Sequence, residues 1–335
     1  MTTLRIRASA IEHNLCAIRQ RTSARIIAVV KEDGYGLGLG NARAACLPCG
    51  VDFFAVGTAQ EALRLKEMGG EEVLLLTPEL CPEALEVLIR RRVLFMVGSA
   101  RQAEALRCAG GRAGMAPRVH LKVDTGLGRY GYRWDALADV PRDLAGLRLE
   151  GTYTHFATQT RDYVRVCRRQ AARFARALDE LRGMGIDTGL THACASRAFC
   201  ALGDLGYGAV RLGSALLGRC TGPLRAAFQN AAYLEAPVYQ VRLHRRGDVV
   251  GYDARCRLAR ELGAAKRAVL PDALHQAARS NVGAYQLRGW KTALPKIPAL
   301  WVRDAPDLWS GHPCGFRCLA APCCWIAGQK HGSAA

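Results

Sequence analysis

The sequence predicts an α/β protein, a TIM (β/α)8 barrel followed by an incomplete, mainly β C-terminal domain. Three observations predict it. Short, β-branched apolar runs recur along the first two-thirds of the chain, segments of helical period separate them, and beyond residue 231 that period gives way to strand-like alternation. Eight runs qualify as strands: IIAVV ending at Val30, FFAV at Val56, VLLL at Leu76 and VLFMV at Val97, then VHLKV at Val123, GTYTHF at Phe156, LTHA at Ala193 and AVRL at Leu212. Between them lie amphipathic stretches such as TAQEALRLKEMG and PEALEVLIRR, the second opening with Pro82 and acids in its first turn, as a helix start does. A doubly wound open sheet competes, but no glycine fingerprint follows the first strand at the required spacing.

This reading assigns residues 1–225 to the barrel and 231–265 to the start of the β domain, where AAYLEAPVYQVRLHRRGDVVGYDARCRL turns at Arg246–Gly247. Residues 266–335 form an atypical tail. It has no glutamate beyond Glu261, it holds four of the five tryptophans, and Cys314, Cys318, Cys323 and Cys324 crowd together near its end. Such an abrupt switch is what a change of reading frame produces, with genuine divergence of the tail as the alternative.

Composition excludes several classes. The 335 residues are 50% apolar and 23% charged, with no uninterrupted apolar run long enough to span a bilayer, so neither a membrane protein nor a disordered chain is expected. MTTLRIRASAIEHNL lacks the apolar segment of a secretory signal, which points to the cytoplasm, where the 14 cysteines read as free, buried thiols. The net charge is +18, yet charges of both signs alternate along the chain without a basic arm or interleaved aromatics, so no nucleic-acid partner is expected. No metal site is expected either: Cys46 and Cys49 have pair spacing but no second pair, and the tail's His312 and cysteines are irregularly spaced.

In a parallel barrel the active site lies at the C-terminal ends of the strands, so polar residues there are the candidates. Lys31 follows the first run in KEDGYGLGLG, where desolvation and neighbouring cations could lower its pKa enough for Schiff-base chemistry; the bland alternative is a snorkelling surface lysine. Lys122 and Arg129 bracket the end of the fifth run in LKVDTGLGRYGY, whose arginine either grips an anion or is a solvated turn residue. His155 ends the sixth run and Ser196 follows the seventh, with His192 a core or supporting histidine. Arg211, Gly213 and Ser214 close the eighth, where phosphate commonly binds in barrels.

Taken together, AVVKEDGYGLG, LKVDTGLGRYG, GTYTHFA, HACAS, AVRLGSALLG and VGYDA resemble the segments of the bacterial alanine racemases, in the same order and over about residues 1–260. The resemblance implies a homodimeric, pyridoxal 5′-phosphate-dependent isomerase acting on a small amino acid and supplying D-alanine for peptidoglycan. It implies that Lys31 holds the cofactor as a Schiff base, that Tyr35, Ser196, Gly213 and Ser214 bind its phosphate, and that Arg211 faces the pyridine nitrogen. Arg129 contacts the phenolic oxygen, oriented by Lys122, which is carbamylated in many relatives. His155 supports Tyr252, the second base, which the neighbouring subunit supplies. A serine or broad-specificity racemase, or a non-catalytic PLP-binding homologue, are the alternatives. The chain departs from the family at Glu32 and Asp33, two acids beside the lysine, at Ala195, at Asp253 and Arg255, and in the tail, which lacks the family's substrate-side motifs.

Overall fold

Eight parallel strands close on themselves in the computed structural model, which describes residues 3–220, 223–235 and 238–250 and the strands Cys256–Arg257, Leu262–Arg267 and Cys324–Gly328. After β1 (Thr3–Ile6) and α1 (Ala8–Arg19), the barrel strands are β2 (Arg25–Val29), β3 (Phe53–Val56), β4 (Glu72–Leu75), β5 (Leu94–Val97), β6 (Arg118–Asp124), β8 (Arg148–Tyr153), β9 (Leu190–Ala195) and β10 (Ala209–Leu212). Each pairs in parallel with the next, and β10 returns to pair with β2, Val210 opposite Ile26 and Leu212 opposite Ala28. All eight runs expected from the sequence are therefore strands of one closed TIM barrel. A two-residue strand, β7 (Tyr132–Arg133), adds to the edge of β6.

These segments become strands because both of their faces are covered. Phe53, Phe54, Ala55 and Val56 are all buried, as are Leu94 to Val97, so no solvent-facing alternation is left to read. The helices α2 (Lys31–Tyr35), α3 (Leu39–Cys46), α4 (Ala59–Met68), α5 (Pro82–Arg90), α6 (Ala100–Ala113), α7 (Val140–Leu144), α8 (Tyr163–Gly183) and α9 (Ser196–Leu202) link the strands. Along α8, Cys167, Gln170, Phe174, Ala177, Leu178 and Leu181 are buried at helical spacing, leaving Arg165, Arg168, Arg169 and Arg176 on the solvated face. At the strands' N-terminal ends Arg118 forms a two-pronged pair with Glu150 (2.7 and 2.6 Å) and a second pair with Glu72 (2.9 Å), tying β4, β6 and β8 together away from the site.

The barrel unit comprises Ala8–Gly34 and Gly38–Ala231; the other comprises residues 1–7, Tyr35–Leu37 and the chain from Ala232. In the latter, β1 pairs antiparallel with β11 (Ala232–Glu235), so the N-terminal strand, grouped with the barrel by the sequence, belongs with the β region. β12 (Val238–His244), β15 (Leu262–Arg267) and β16 (Cys324–Gly328) form an antiparallel sheet, and β13 (Val249–Val250) pairs with β14 (Cys256–Arg257). Among the described residues the tail contributes β16, which its composition gave no sign of.

The thiols are only partly as expected. Cys46, Cys167, Cys194, Cys200 and Cys220 are buried, but Cys16, Cys81 and Cys108 are exposed.

Candidate active site

β2 hands Lys31 directly to the barrel mouth. Val30 still donates to the Ala55 carbonyl at 2.9 Å, so Lys31 is the first residue beyond the sheet. The next four residues all take positive φ: Glu32 (φ 56°, ψ 48°), Asp33 (52°, 53°), Gly34 (66°, 35°) and Tyr35 (φ 56°). One left-handed turn in which three residues carry side chains costs on the order of 1–2 kcal/mol per such residue, so the surroundings must hold it. Gly34 donates to the Val30 carbonyl (2.8 Å), Gly38 to the Asp33 carbonyl (2.9 Å), and the Asp33 amide to Glu61 Oε1 (2.9 Å). The other Glu61 oxygen accepts from Gly57 (3.0 Å) and Thr58 (3.1 Å), so a buried carboxylate capping α4 also grips the lysine turn. The carboxylate of Asp33 serves the turn: it accepts from the Leu39 amide at 3.0 Å and meets Arg64 at 3.6 Å, while Glu32 is exposed.

Inside the barrel a polar chain replaces the usual branched aliphatics. Arg211, 2% exposed, donates to the carbonyls of Thr154 (2.6 Å), His192 (3.1 Å) and Ala193 (3.1 Å) and to Nδ1 of His192 (2.7 Å), and it lies 3.3 Å from Nδ1 of His155. Three backbone carbonyls at the ends of two strands hold the guanidinium without any carboxylate. Burial lowers its pKa to about 10. Tyr153 stacks flat on His192, with ring centroids 4.8 Å apart, and both Lys122 Nζ and the Arg211 guanidinium lie 4.9 Å from the Tyr153 ring centre. Lys122 is buried, and desolvation first, then Arg211 and Arg129, holds its amine well below the ordinary lysine range. The partly exposed His155 is likewise held well below the usual histidine value, by desolvation and then by Arg211, Lys122, Arg129 and Lys31.

Arg129 is carried by a turn that Asp124 builds. The Asp124 carboxylate accepts from the amides of Gly126 (2.9 Å), Leu127 (2.9 Å) and Gly128 (3.0 Å). Behind it Gly131, at φ 117°, packs so tightly that a Cβ there would lie 2.8 Å from the Lys122 carbonyl and 2.9 Å from the Asp124 amide. On the other side of the mouth, Ser196 opens α9 and its buried hydroxyl accepts from the amides of Gly213 and Ala215, each at 3.1 Å. This joins the turn after β10, with Ser214 in it, to the end of β9.

The structure therefore gathers Lys31, Lys122, Arg129, His155, Ser196, Arg211, Gly213 and Ser214 at one end of the barrel. Tyr35 is the last residue of the left-handed turn, and Tyr252 lies outside the described residues, as do Asp253, Arg255, His312 and Cys314. None of Lys31, Lys122, Arg129 and Arg211 pairs with a carboxylate among the described residues. Two guanidiniums without carboxylate partners, Arg129 and Arg211, beside the lysine at one barrel mouth call for an anionic ligand. An aldehyde that carries phosphate and phenolate oxygens fits this donor set: Lys31 can hold its carbonyl carbon, Ser196 and the Gly213–Ala215 turn can hold its phosphate, and Arg129 and Arg211 can face its oxygen and ring nitrogen. Among the described residues no cluster of three or more His, Cys, Asp or Glu side chains could hold a metal, and no helix is long and apolar enough to cross a membrane. Burial pushes the Cys46 thiol up to about 12, which suits an inert thiol better than a redox pair with Cys49.

Sequence reasoning missed Glu61, Asp124 and His120. Thr58 and Glu61 do stand at capping-box spacing, and the alternation in VHLKV puts His120 on the same strand face as Lys122, so two of the three left a signal.

Fold and site together define a parallel β/α barrel with a lysine-bearing, cationic mouth. Residues 6–220 match the family described as alanine racemase, N-terminal domain, and the chain belongs to that family. It is 35% identical over 266 residues to the alanine racemase of Deinococcus radiodurans, covering 78% of this chain and 72% of that one. To the alanine racemase of Symbiobacterium thermophilum it is 31% identical over 219 residues, covering 64% of this chain and 58% of the relative, so it spans little more than half of that protein. The alanine racemase of Streptomyces coelicolor A3(2) superposes with a TM-score of 0.68 at 27% identity, covering 79% of this chain and 74% of that one. A histidine racemase from Leuconostoc mesenteroides shares the fold, with a TM-score of 0.66 at 22% identity.

Proposed function

We propose that this protein is a pyridoxal phosphate-dependent amino-acid racemase that interconverts L- and D-alanine with two bases, Lys31 and Tyr252, in a homodimer whose partner subunit supplies the tyrosine. The observation that carries the reading is the convergence of Lys31, Lys122, Arg129 and Arg211, without carboxylate partners, on the mouth that His155 occupies. The cofactor, when bound, supplies the electron sink that acidifies the substrate's α-hydrogen.

The rest is the work of this chain's side chains. Racemisation needs a proton removed from one face of a carbon and another delivered to the opposite face, so two bases on opposite faces suffice. Lys31 stands on one side, held by β2 and the turn that Glu61 pins; Tyr252 is assigned to the other. Arg211 can only donate, and its high proton affinity leaves a ring nitrogen opposite it as an acceptor, which limits how much charge the ring withdraws. The hydroxyl protons of Ser196 and Ser214, in the turn after β10 that begins at Gly213, would hold the phosphate, and Arg129, carried by the Asp124 turn, would meet the phenolic oxygen.

The second reading, a serine or broad-specificity racemase, uses the same apparatus and differs only in the side-chain pocket. The third, a non-catalytic cofactor carrier, has no use for Tyr252. Incubation of the purified chain with pyridoxal phosphate and L-alanine or L-serine, followed by chiral analysis, separates all three. The expected result is D-alanine, faster than D-serine. Borohydride reduction should fix a pyridoxyl group on Lys31, and a label on another lysine would remove the basis of the assignment.

A further inference from the structure

Arg211 is the deepest cation of the site, and what it leans on can be followed further into the barrel than its own contacts. A guanidinium carries only donors, so the His192 Nδ1 that it meets at 2.7 Å must be the unprotonated nitrogen of that ring. In a neutral imidazole the proton then resides on Nε2. That atom lies 2.7 Å from Nδ1 of His120, which must accept in turn, leaving the proton of His120 on its own Nε2. Both rings are buried, His192 completely and His120 to 1% exposure. Charging either would set N–H against N–H along the chain, and burial together with Arg211 already holds His192 neutral.

The barrel is shaped to admit the terminal ring of this chain. His120 sits edge-on to Phe53 of β3, with centroids 5.9 Å apart, and over Gly151 of β8, where a Cβ would lie 2.7 Å from Cε1 and 2.8 Å from Nε2. Any larger residue at 151 would push the ring aside. His192 is clamped from the other direction by the flat stack of Tyr153. The two histidines therefore have one available arrangement, and the two protons they carry point away from Arg211.

We propose that His120 is a positioning residue for the cofactor site: by accepting the Nε2 proton of His192 it holds that buried ring where its Nδ1 receives Arg211, and so fixes the direction of the guanidinium. The inference deepens the proposed function and rests on its assignment of Arg211 to the cofactor's ring nitrogen. Without an acceptor at position 120 the buried Nε2–H of His192 has no partner, so the ring gains by turning toward another acceptor, which carries Nδ1 off the Arg211 N–H and releases the guanidinium. An asparagine at 120 keeps an acceptor, its Oδ1 standing where Nδ1 stood; a leucine fills the space without one.

The test uses the full chain labelled with 15N-histidine and free of cofactor, with the His192 signals assigned by their loss in His192→Gln. Expected in the unsubstituted protein and in His120→Asn is a His192 with Nε2 protonated and Nδ1 bare. In His120→Leu the proton should stay on Nε2 while the Nδ1 signal shifts toward that of a nitrogen receiving no hydrogen bond, as the ring leaves Arg211. Titration with pyridoxal phosphate, read from its visible band, should show about tenfold weaker binding in His120→Leu, the loss expected for one misdirected charged hydrogen bond, and within about twofold of normal in His120→Asn. A proton on Nδ1 of His192 in the unsubstituted protein would overturn the proposal, as would equal losses in the two variants. If His120→Leu does not fold, the tautomer of the unsubstituted protein and the behaviour of His120→Asn still decide. Failure of the unsubstituted chain to bind the cofactor at all would overturn the proposed function instead, and the tautomer measurement is independent of it.

Discussion

Glu61 accepts the amide proton of Asp33 at 2.9 Å, and through that one bond a carboxylate on α4 controls the turn that follows Lys31. The same side chain accepts from Gly57 and Thr58, so it joins the mouths of β2 and β3. Three N–H donors face two anionic oxygens, an arrangement that an amide cannot reproduce. In Glu61→Gln one donor is left facing an NH2 group, at a cost of about 1–3 kcal/mol. The left-handed turn, already strained, is the element that should yield. Urea unfolding should show that loss, and pyridoxyl incorporation at Lys31 after borohydride treatment should fall several-fold. Lost stability with undiminished labelling would mean that Glu61 caps a helix and does nothing for Lys31.

Lys122 gives the protein a dependence on pH and on carbon dioxide. Its amine is held far below the ordinary lysine value, mainly by desolvation, then by Arg211 and Arg129. The unfolded chain therefore binds a proton that the folded chain resists. The penalty is complete below the folded pKa and fades as pH rises from there into the ordinary lysine range. Carbon dioxide offers another relief: the neutral amine adds CO2 and releases a proton, which leaves a carbamate anion among the cations. Bicarbonate at fixed pH and ionic strength should raise the melting temperature of the native protein by a few degrees and leave Lys122→Ala unmoved. Equal responses in the two would place the effect elsewhere.

The barrel was legible because its strands are short, apolar and buried on both faces, as Phe53–Val56 and Leu94–Val97 show. Lys31, His155 and Arg211 were legible for the complementary reason, since a polar residue at the end of such a run has nowhere to go but the mouth. Long-range relations were not. Nothing near Asp33 announces that its amide will meet a residue 28 positions on, and the left-handed turn puts Glu32 and Asp33 where a glycine-rich segment would be expected to bend at its glycines. β1 was misplaced because four residues of alternating character carry no mark of their partner, which lies more than two hundred residues away in Ala232–Glu235. For β16 the composition of the tail masked a strand that exists by pairing with Leu262–Arg267.

Gly131 should be intolerant of a methyl group. At φ 117° an alanine is strained, and its Cβ would press on backbone atoms of Lys122 and Asp124 that belong to the barrel wall and cannot move aside. Backbone strain and the clash each cost about 1–3 kcal/mol. Gly131→Ala should lower the urea midpoint and shift the Arg129 turn, weakening pyridoxal phosphate binding more than a control such as Gly128→Ala, whose Cβ meets nothing within 4 Å. Equal effects from the two substitutions would show that φ alone matters and that the packing against Lys122 does not.

The assignment of Tyr252 makes the sharpest prediction, because it names both a face and a subunit. If Lys31 and Tyr252 serve opposite faces, the family resemblance implies that the tyrosine handles the proton of the L-enantiomer and the lysine that of the D-enantiomer. Solvent deuterium should then still enter D-alanine in Tyr252→Phe, while exchange into L-alanine collapses by several orders of magnitude, the loss expected of a general base. Parallel losses for both enantiomers would argue for a tyrosine that merely shapes the pocket. Mixing Lys31→Ala with Tyr252→Phe protein adds the second part. If the partner subunit supplies the tyrosine, each heterodimer contains one site with both bases and one with neither, so activity should return to about a quarter of the unsubstituted value, since random exchange makes half the dimers mixed and half of their sites intact. Subunit exchange must be shown independently, with one variant carrying a mass label. Exchange without recovery would place Lys31 and Tyr252 of the same chain in one site.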